Sequence, residues 1–170
     1  KIGKTGLRCK KLPEIKELLL NSGKDELEIT GDREDEQGIT FTLVDTTDTA
    51  AVESALTAKT RALFLETPSN PLFRITDLRA MVEIAGQHGL LTMLDNTFMT
   101  PLLQRPLDLG IDVTIHSATK FLGGHHDVTA GFACCNGEAF ERIWHLRKIM
   151  GGVMDPMTAF LCQRGLQTLD

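Results

Sequence analysis

The stretch LLTMLDNT, residues 90 to 97, decides the fold class of this 170-residue chain. It is apolar on both faces of an extended chain and too short for a helix, which is typical of a strand buried in a parallel sheet. The segment before it, TDLRAMVEIAGQHG (76 to 89), has four apolar side chains at helical spacing. These are Leu78, Met81, Val82 and Ala85. A helix that leads into a buried strand predicts an α/β fold.

Strands and helices alternate along the chain from Gly38 onward. The predicted strands are GITFTLVD (38 to 45), RALFLE (61 to 66), DVTIHSAT (112 to 119) and TAGFACC (129 to 135). The predicted helices are DTAAVESALTA (48 to 58), GEAFERIWHLRKIM (137 to 150) and DPMTAFLCQRGLQTL (155 to 169). We therefore expect a mostly parallel sheet flanked by helices, with right-handed crossovers. Ligands of such sheets bind at the carboxyl ends of the strands.

Residues 1 to 37 differ from the rest in their charge. Positions 1 to 11 have five basic residues and no acid, while positions 24 to 37 have seven acids against two bases. This pattern predicts a solvated segment, which we leave without a domain assignment. A short helix is predicted for LPEIKELLL, residues 12 to 20.

Composition narrows the classes of partner and the compartment. A net charge of -5 gives no general attraction to nucleic acid or to an anionic membrane. No apolar run approaches the roughly 18 residues that a membrane helix needs, and no signal peptide is visible. The four cysteines are few and irregularly spaced, which predicts reduced thiols in a cytoplasmic protein. They are Cys9, Cys134, Cys135 and Cys162.

Reactive side chains follow the predicted strands. Asp95 ends one strand, and Ser117, Thr119 and Lys120 end another. A lysine forms a Schiff base with an aldehyde when its surroundings leave it neutral, and two hydroxyls on one side of a strand offer donors to a phosphate. A buried aspartate would keep a pyridine nitrogen protonated, which makes the ring an electron sink. Together these residues predict a site for pyridoxal 5'-phosphate (PLP).

The same sequence also suggests two other kinds of site, a metal site and a P-loop phosphate site. His116, His125, His126 and Asp127 would be the ligands of a metal site, but adjacent histidines aim poorly at one ion and the spacing matches no zinc pattern. Packing and hydrogen bonding explain these histidines better, so we expect no metal. The tripeptide at residues 3 to 5 echoes the end of a P-loop, but the sequence begins too late to show the earlier glycine and the strand that this motif needs.

Three ordered motifs resemble the PLP-dependent trans-sulfuration enzymes of cysteine and methionine metabolism. They are ETPSNPL (66 to 72), LDNTF (94 to 98) and SATKFLGGHHDVTAG (117 to 131). The family includes cystathionine γ-synthase, the cystathionine γ- and β-lyases and methionine γ-lyase. The resemblance implies that residues 38 to 170 are part of the large, PLP-binding domain of a fold-type I, transferase-like enzyme, with the smaller C-terminal domain absent from this chain.

The resemblance also implies a role for six residues. Lys120 is similar to the lysine that carries PLP and then moves protons on the substrate, and Asp95 to the partner of the pyridine nitrogen. Ser117 and Thr119 are similar to phosphate ligands. Asn70 is similar to the asparagine that approaches the ring oxygen, and Thr97 is expected near the ring. The implied reaction is elimination or replacement at the β or γ carbon of a sulfur amino acid or an activated homoserine, in a homodimer or homotetramer.

Two further functions are consistent with the sequence. The chain contains no tyrosine, whereas the family stacks a tyrosine on the cofactor, and residues 1 to 37 lack the family's glycine-containing phosphate loop. A truncated, non-catalytic relative that acts as a binding or assembly module is therefore one alternative. Another fold-type I PLP enzyme, such as an aminotransferase, is the second, and it would transaminate rather than release a thiol.

Overall fold

A computed structural model describes residues 17–21, 33–34, 40–135 and 137–169. Seven strands form one sheet: β1 (Glu17–Asn21), β2 (Arg33–Glu34), β3 (Thr40–Val44), β4 (Ala62–Glu66), β5 (Leu91–Asp95), β6 (Val113–Ser117) and β7 (Gly131–Cys135). The helices are α1 (Thr49–Ala55), α2 (Leu78–His88), α3 (Thr100–Leu103), α4 (Gly137–Met150) and α5 (Pro156–Leu166), with a 3-10 helix at Pro106–Leu109. The predicted α/β class is confirmed.

The sheet has the order β2-β3-β1-β4-β5-β6-β7. Its five central strands are parallel, and the two edge strands, β2 and β7, pair antiparallel to their neighbours. The mostly parallel arrangement confirms the prediction from the alternating elements. It brings the carboxyl ends of β4, β5 and β6 to one edge of the sheet.

The helix predicted for residues 12 to 20 is wrong in the part that the structure describes. Glu17–Asn21 is strand β1, which pairs with β3 on one side and with β4 on the other. Hydrogen bonds to two parallel neighbours outweigh the weak local preference of this segment for a helix. Part of the charged segment therefore belongs to the sheet, and residues 12 to 16 lie outside the described residues.

The main core lies between the sheet and helices α1 and α2. Val52 of α1 and Met81 of α2 pack against Leu63, Leu65 and Leu94 of β4 and β5, and all five are nearly inaccessible to solvent. The predicted apolar face of α2 is buried except for Val82, which is partly buried. Capping residues fix the ends of these helices and of α5.

The caps are Asp48 for α1, Gly89 for α2 and Asp155 for α5, and Asp77 also caps the start of α2. Each aspartate accepts two backbone N–H bonds at the first turn of its helix, which stabilises that turn. The core helices therefore begin at residues that the sequence marks locally.

Helix α4 contrasts with this core because none of its residues is buried. Phe140 and Trp144, which the sequence places on one face, stack with ring centroids 5.9 Å apart, yet both remain exposed.

Among the described residues, no helix is long and apolar enough to span a bilayer.

Candidate functional site

The carboxyl ends of β4, β5 and β6 lie side by side. The register pairs Glu66 with Asp95 and Asp95 with Ile115, so that the two carboxyl groups end adjacent strands at the same height. Two residues later, Ser117 ends β6. The three strand ends thus bring two acidic side chains and a hydroxyl to one edge of the sheet.

A cleft of about 980 Å³ opens at this edge. Small-molecule sites in proteins commonly have volumes of roughly 300–1,000 Å³. Four of the predicted site residues line the cleft: Asn70, Thr97, Thr119 and Lys120. Glu66 lines it as well. The structure therefore brings together residues that lie as far apart in the sequence as positions 66 and 120.

Two loops form walls of the cleft. We call residues 67 to 76 the asparagine loop and residues 118 to 130 the lysine loop. The asparagine loop carries Asn70, whose backbone N–H donates to Glu66 Oε2 at 3.2 Å. The lysine loop carries Lys120 in the turn after β6, with its N–H donating to Ser117 O at 3.1 Å and its own carbonyl accepting from Gly124 N at 2.8 Å. Its side chain is exposed to the cleft.

Asp95 and Ser117 do not line the cleft but support a residue that does. Thr97 N–H donates to Asp95 Oδ1 at 2.9 Å, and Thr97 Oγ1 accepts from Ser117 N at 2.7 Å. Thr97 therefore ties the end of β5 to the end of β6. This tie is not evident from the sequence, which indicates only that the three residues lie at strand ends.

The paired carboxyl groups favour a cation at the strand ends. Burial raises the pKa of Glu66 above its usual value, and the negative charge of Asp95 raises it further, against the effect of the Asn70 N–H bond. Burial lowers the pKa of His116, and the negative charge of Asp95 opposes part of that shift. The sequence places Glu66 at a strand end, but its closeness to Asp95 follows only from the register of two strands.

The geometry expected for Ser117 and Thr119 is wrong. The predicted strand ran to Thr119, which would place both hydroxyls on one side, but β6 ends at Ser117 and the next residues turn. The Thr119 hydroxyl accepts from Ala130 N at 3.1 Å and donates to Ala130 O at 3.4 Å. These bonds tie Thr119 to the far end of the lysine loop.

The alternative metal site is not assembled. His125 Nδ1 contacts Gly123 O at 2.9 Å, and Asp127 forms an ion pair with Arg164, while His116 is buried in the sheet. Within the described part of the chain, no group of three or more His, Cys, Asp or Glu side chains is close enough to hold a metal ion. Hydrogen bonding accounts for His125, and His126 lines the cleft.

A cluster of three aromatic rings, two of which line the cleft, was not predicted. The ring of Phe98 lies 5.1 Å from that of Phe73 and 6.3 Å from that of Phe121, both in edge-to-face geometry. Phe98 and Phe121 directly follow Thr97 and Lys120, which is the only signal in the sequence. The rings join the two loops across the end of β5.

Comparisons with known proteins agree with this geometry. Residues 30–170 match the sequence profile of a family described as Cys/Met metabolism PLP-dependent enzyme. The chain is 48% identical over 133 residues to cystathionine beta-lyase MetC of Bacillus subtilis (strain 168), covering 78% of this chain and 34% of that protein. It is 46% identical over 133 residues to cystathionine gamma-lyase of the same organism, covering 78% of this chain and 35% of the relative.

A solved structure is similar as well. Cystathionine gamma-lyase from Lactobacillus plantarum, complexed with L-serine, superposes with a TM-score of 0.82 at 40% identity, over 92% of this chain and 42% of that one. The chain spans about a third of the length of the curated relatives it matches.

Proposed function

Because this chain belongs to the family of Cys/Met metabolism PLP-dependent enzymes, we propose that its protein eliminates or replaces a β or γ substituent of a sulfur amino acid or of an activated homoserine. The observation that carries the proposal is the position of Lys120, which faces a cleft shared with Asn70, Thr97 and Thr119. An amine in a cleft at the ends of parallel strands is suited to hold an aldehyde cofactor covalently.

The residues at the strand ends fit pyridoxal phosphate. Its protonated ring nitrogen is a cation, and Glu66 and Asp95 place two carboxyl groups where a cation would relieve their mutual repulsion. We assign Asp95 to the ring nitrogen, with Thr97 N–H holding its Oδ1 in place. Asn70, on the asparagine loop, is assigned to the ring oxygen.

The phosphate is assigned to Ser117 and Thr119. The backbone N–H of Ser117 is bonded to Thr97, which orients the residue at the end of β6. Thr119 donates its hydroxyl proton to Ala130 O over 3.4 Å, a long and therefore weak bond that a phosphate oxygen would replace. The Thr119 oxygen would keep its bond from Ala130 N during that exchange.

The cofactor, when bound, draws electrons from the substrate and so allows a proton to leave its α-carbon and a substituent to leave further along. Once the substrate amine has replaced it, Lys120 would accept and return the protons, because its side chain is exposed in the cleft. Glu66 would contribute negative charge beside Asp95 and so keep the ring nitrogen protonated.

Product analysis tests this function. With pyridoxal phosphate and cystathionine or methionine, we expect a keto acid together with ammonia and a thiol. With an activated homoserine and a thiol, we expect the replacement product. A keto acid formed without ammonia or thiol would contradict the proposal and indicate transamination. Relatives named as β-lyase, γ-lyase and γ-synthase are 44 to 48% identical, so identity alone favours none of the three reactions.

We also propose that residues 38 to 170 are part of the large PLP-binding domain, and that the protein works in the cytoplasm as a homodimer or homotetramer. The three cysteines in the described residues, Cys134, Cys135 and Cys162, are free thiols, which suits a reducing compartment. Phe73 and Phe121 are 58% and 52% exposed, and Phe121 lines the cleft, which suits a surface that a second copy covers. Light scattering that gives a monomer mass would contradict the oligomer.

A further inference from the structure

Helix α5 packs directly against the lysine loop. Leu122 and Val128 of the loop share a buried cluster with Cys162 of the helix. Gly165, further along the same helix, contacts the loop through its backbone, because a Cβ at this position would overlap the carbonyl oxygens of Leu122 and Gly123. The helix therefore approaches the first half of the lysine loop as closely as a backbone permits.

The second half of the loop is tied to the same helix by an ion pair. Arg164 Nη2 donates to Asp127 Oδ2 at 2.6 Å, across 37 positions of sequence. The hydrogen bond from Arg164 holds the pKa of Asp127 below its usual value. The Nε atom of Arg164 is buried and has no hydrogen-bond partner among the described residues, so the ion pair is the polar contact that orients this guanidinium.

The ion pair lies beside the cleft. Asp127 lines the cleft that Lys120 faces, and its side chain is 37% exposed, compared with 35% for Arg164. Between Lys120 and Asp127, the turn of the lysine loop is closed by a bond from Gly124 N to Lys120 O at 2.8 Å. A shift of Asp127 would therefore be transmitted through a short, hydrogen-bonded stretch to the lysine.

We propose that Arg164 is a positioning residue for Lys120, and that it acts through Asp127. Gly165 supports the first half of the lysine loop and Arg164 anchors the second half, so that one helix fixes both. The backbone of Lys120 then has one position relative to the strand ends that carry Asp95. The inference rests on the proposed function, because it concerns the lysine that would hold the cofactor.

The test measures labelling of Lys120 rather than turnover. The protein is incubated with a series of pyridoxal phosphate concentrations, reduced with borohydride and mapped by mass spectrometry, at a temperature where circular dichroism shows each variant folded. We expect Arg164→Gln and Asp127→Asn each to raise the concentration that half-labels Lys120 about tenfold, since each removes one of the two charges that strengthen this hydrogen bond. Their combination should raise it no further, because the two residues act as one unit.

Two further variants make the result specific. The exchanged pair Asp127→Arg with Arg164→Asp should recover at least part of the labelling. Arg105→Gln is the control, because it removes the exposed ion pair of Arg105 and Asp108 (3.0 Å) and should leave labelling unchanged. Asp127→Asn alters an exposed loop residue and keeps the test valid if Arg164→Gln does not fold.

The outcomes separate the inference from the function beneath it. If wild-type Lys120 is labelled and the Arg164 and Asp127 variants are labelled equally well, the inference is overturned and the proposed function stands. Additive effects of the two substitutions would also overturn it. A wild-type protein that is never labelled contradicts the proposed function, and the inference falls with it.

Discussion

The asparagine loop and the lysine loop both line the cleft, but different parts of the molecule hold them in place. The asparagine loop is closed by its own residues: Thr76 N donates to Thr67 Oγ1 at 2.9 Å, and Arg74 N donates to Ser69 Oγ at 3.1 Å. Thr67, Ser69 and Thr76 are all buried. Distant residues hold this loop as well: Arg74 forms an ion pair with Asp45 at 2.7 Å, Thr76 Oγ1 lies 2.6 Å from Thr46 Oγ1, and Gln104 Nε2 donates to Thr67 O at 3.2 Å.

The lysine loop depends on a distant helix. Its buried residues pack against Cys162, its backbone contacts Gly165, and its Asp127 pairs with Arg164. The two walls therefore depend on different partners: the wall bearing Asn70 on Asp45, Thr46 and Gln104, and the wall bearing Lys120 on helix α5. Substitutions in α5 should therefore affect one wall and spare the other.

The largest effect is expected from Lys120→Ala. The substitution removes both the covalent hold on the cofactor and the acid-base group, and a group of the latter kind alone contributes about 10²–10⁴-fold to a rate. We expect turnover to fall by at least about a thousandfold, with an unchanged circular dichroism spectrum because the side chain is exposed. Residual turnover near the wild-type rate would mean that another group performs the chemistry.

The next largest effect distinguishes the two regions through glycine. Gly165→Ala places a methyl group against the carbonyl oxygens of the lysine loop and should lower the free energy of unfolding by about 1–3 kcal/mol. Gly86→Ala is the matched control in α2, the helix that follows the asparagine loop. Nothing lies within 4 Å of a Cβ at position 86, so alanine should raise stability by up to about 1 kcal/mol.

Urea unfolding of both glycine variants measures the difference. The account requires opposite signs for the two substitutions. Equal effects would show that α5 does not press on the lysine loop.

Thr67→Val should loosen the asparagine loop alone. The substitution preserves the shape of the side chain but leaves the buried Thr76 N–H without its acceptor, at a cost of about 1–2 kcal/mol in unfolding free energy. Thr49→Val, at an exposed position of α1, should change stability by less than about 0.5 kcal/mol. Hydrogen exchange would follow the two loops separately, and loosening that extends to the lysine loop would contradict their independence.

The smallest effect concerns pH. Because burial and Asp95 raise the pKa of Glu66 in the folded protein, the folded state binds this proton more tightly than the unfolded state does. The contribution of Glu66 to stability is therefore fully present below its ordinary pKa of 4.5 and is lost as the pH rises through the raised value. Glu66→Gln should remove this loss, so that the variant gains stability relative to wild type between pH 4 and pH 7.

Unfolding titrations of the wild type and of Glu66→Gln at several pH values measure this effect. A variant whose stability follows the same pH dependence as the wild type would show that Glu66 does not carry it.

The comparison of the two loops also explains what the sequence could predict. Helices α1, α2 and α5 were predictable because their caps, Asp48, Gly89 and Asp155, act within one turn. The two prolines of the asparagine loop likewise exclude regular structure locally, and the structure agrees. Thr119 and Lys120 could be placed at the cleft because parallel strands end at one edge, whereas Asn70 and Thr97 were expected there because of the family resemblance.

Other features could not be predicted because they depend on contacts between distant residues. The end of β6 at Ser117 is set by bonds from the lysine loop, such as Gly123 N to Ala118 O at 2.7 Å. Strand β1 forms because it pairs with β3 on one side and β4 on the other, and its own run of leucines does not indicate that pairing. Two further contacts join segments that are far apart in the sequence, and no local pattern indicates that these segments meet. They are the Arg164–Asp127 ion pair and the ring cluster of Phe73, Phe98 and Phe121.

The central claim is that Lys120 holds pyridoxal phosphate in this cleft. The most direct measurement is to incubate the protein with the cofactor at one saturating concentration, reduce it with borohydride, digest it and locate the added mass by tandem mass spectrometry. The account predicts the label on the peptide that contains Lys120, at close to one per chain. Label on Lys59 or Lys148 instead, or a protein that stays unlabelled, would contradict it.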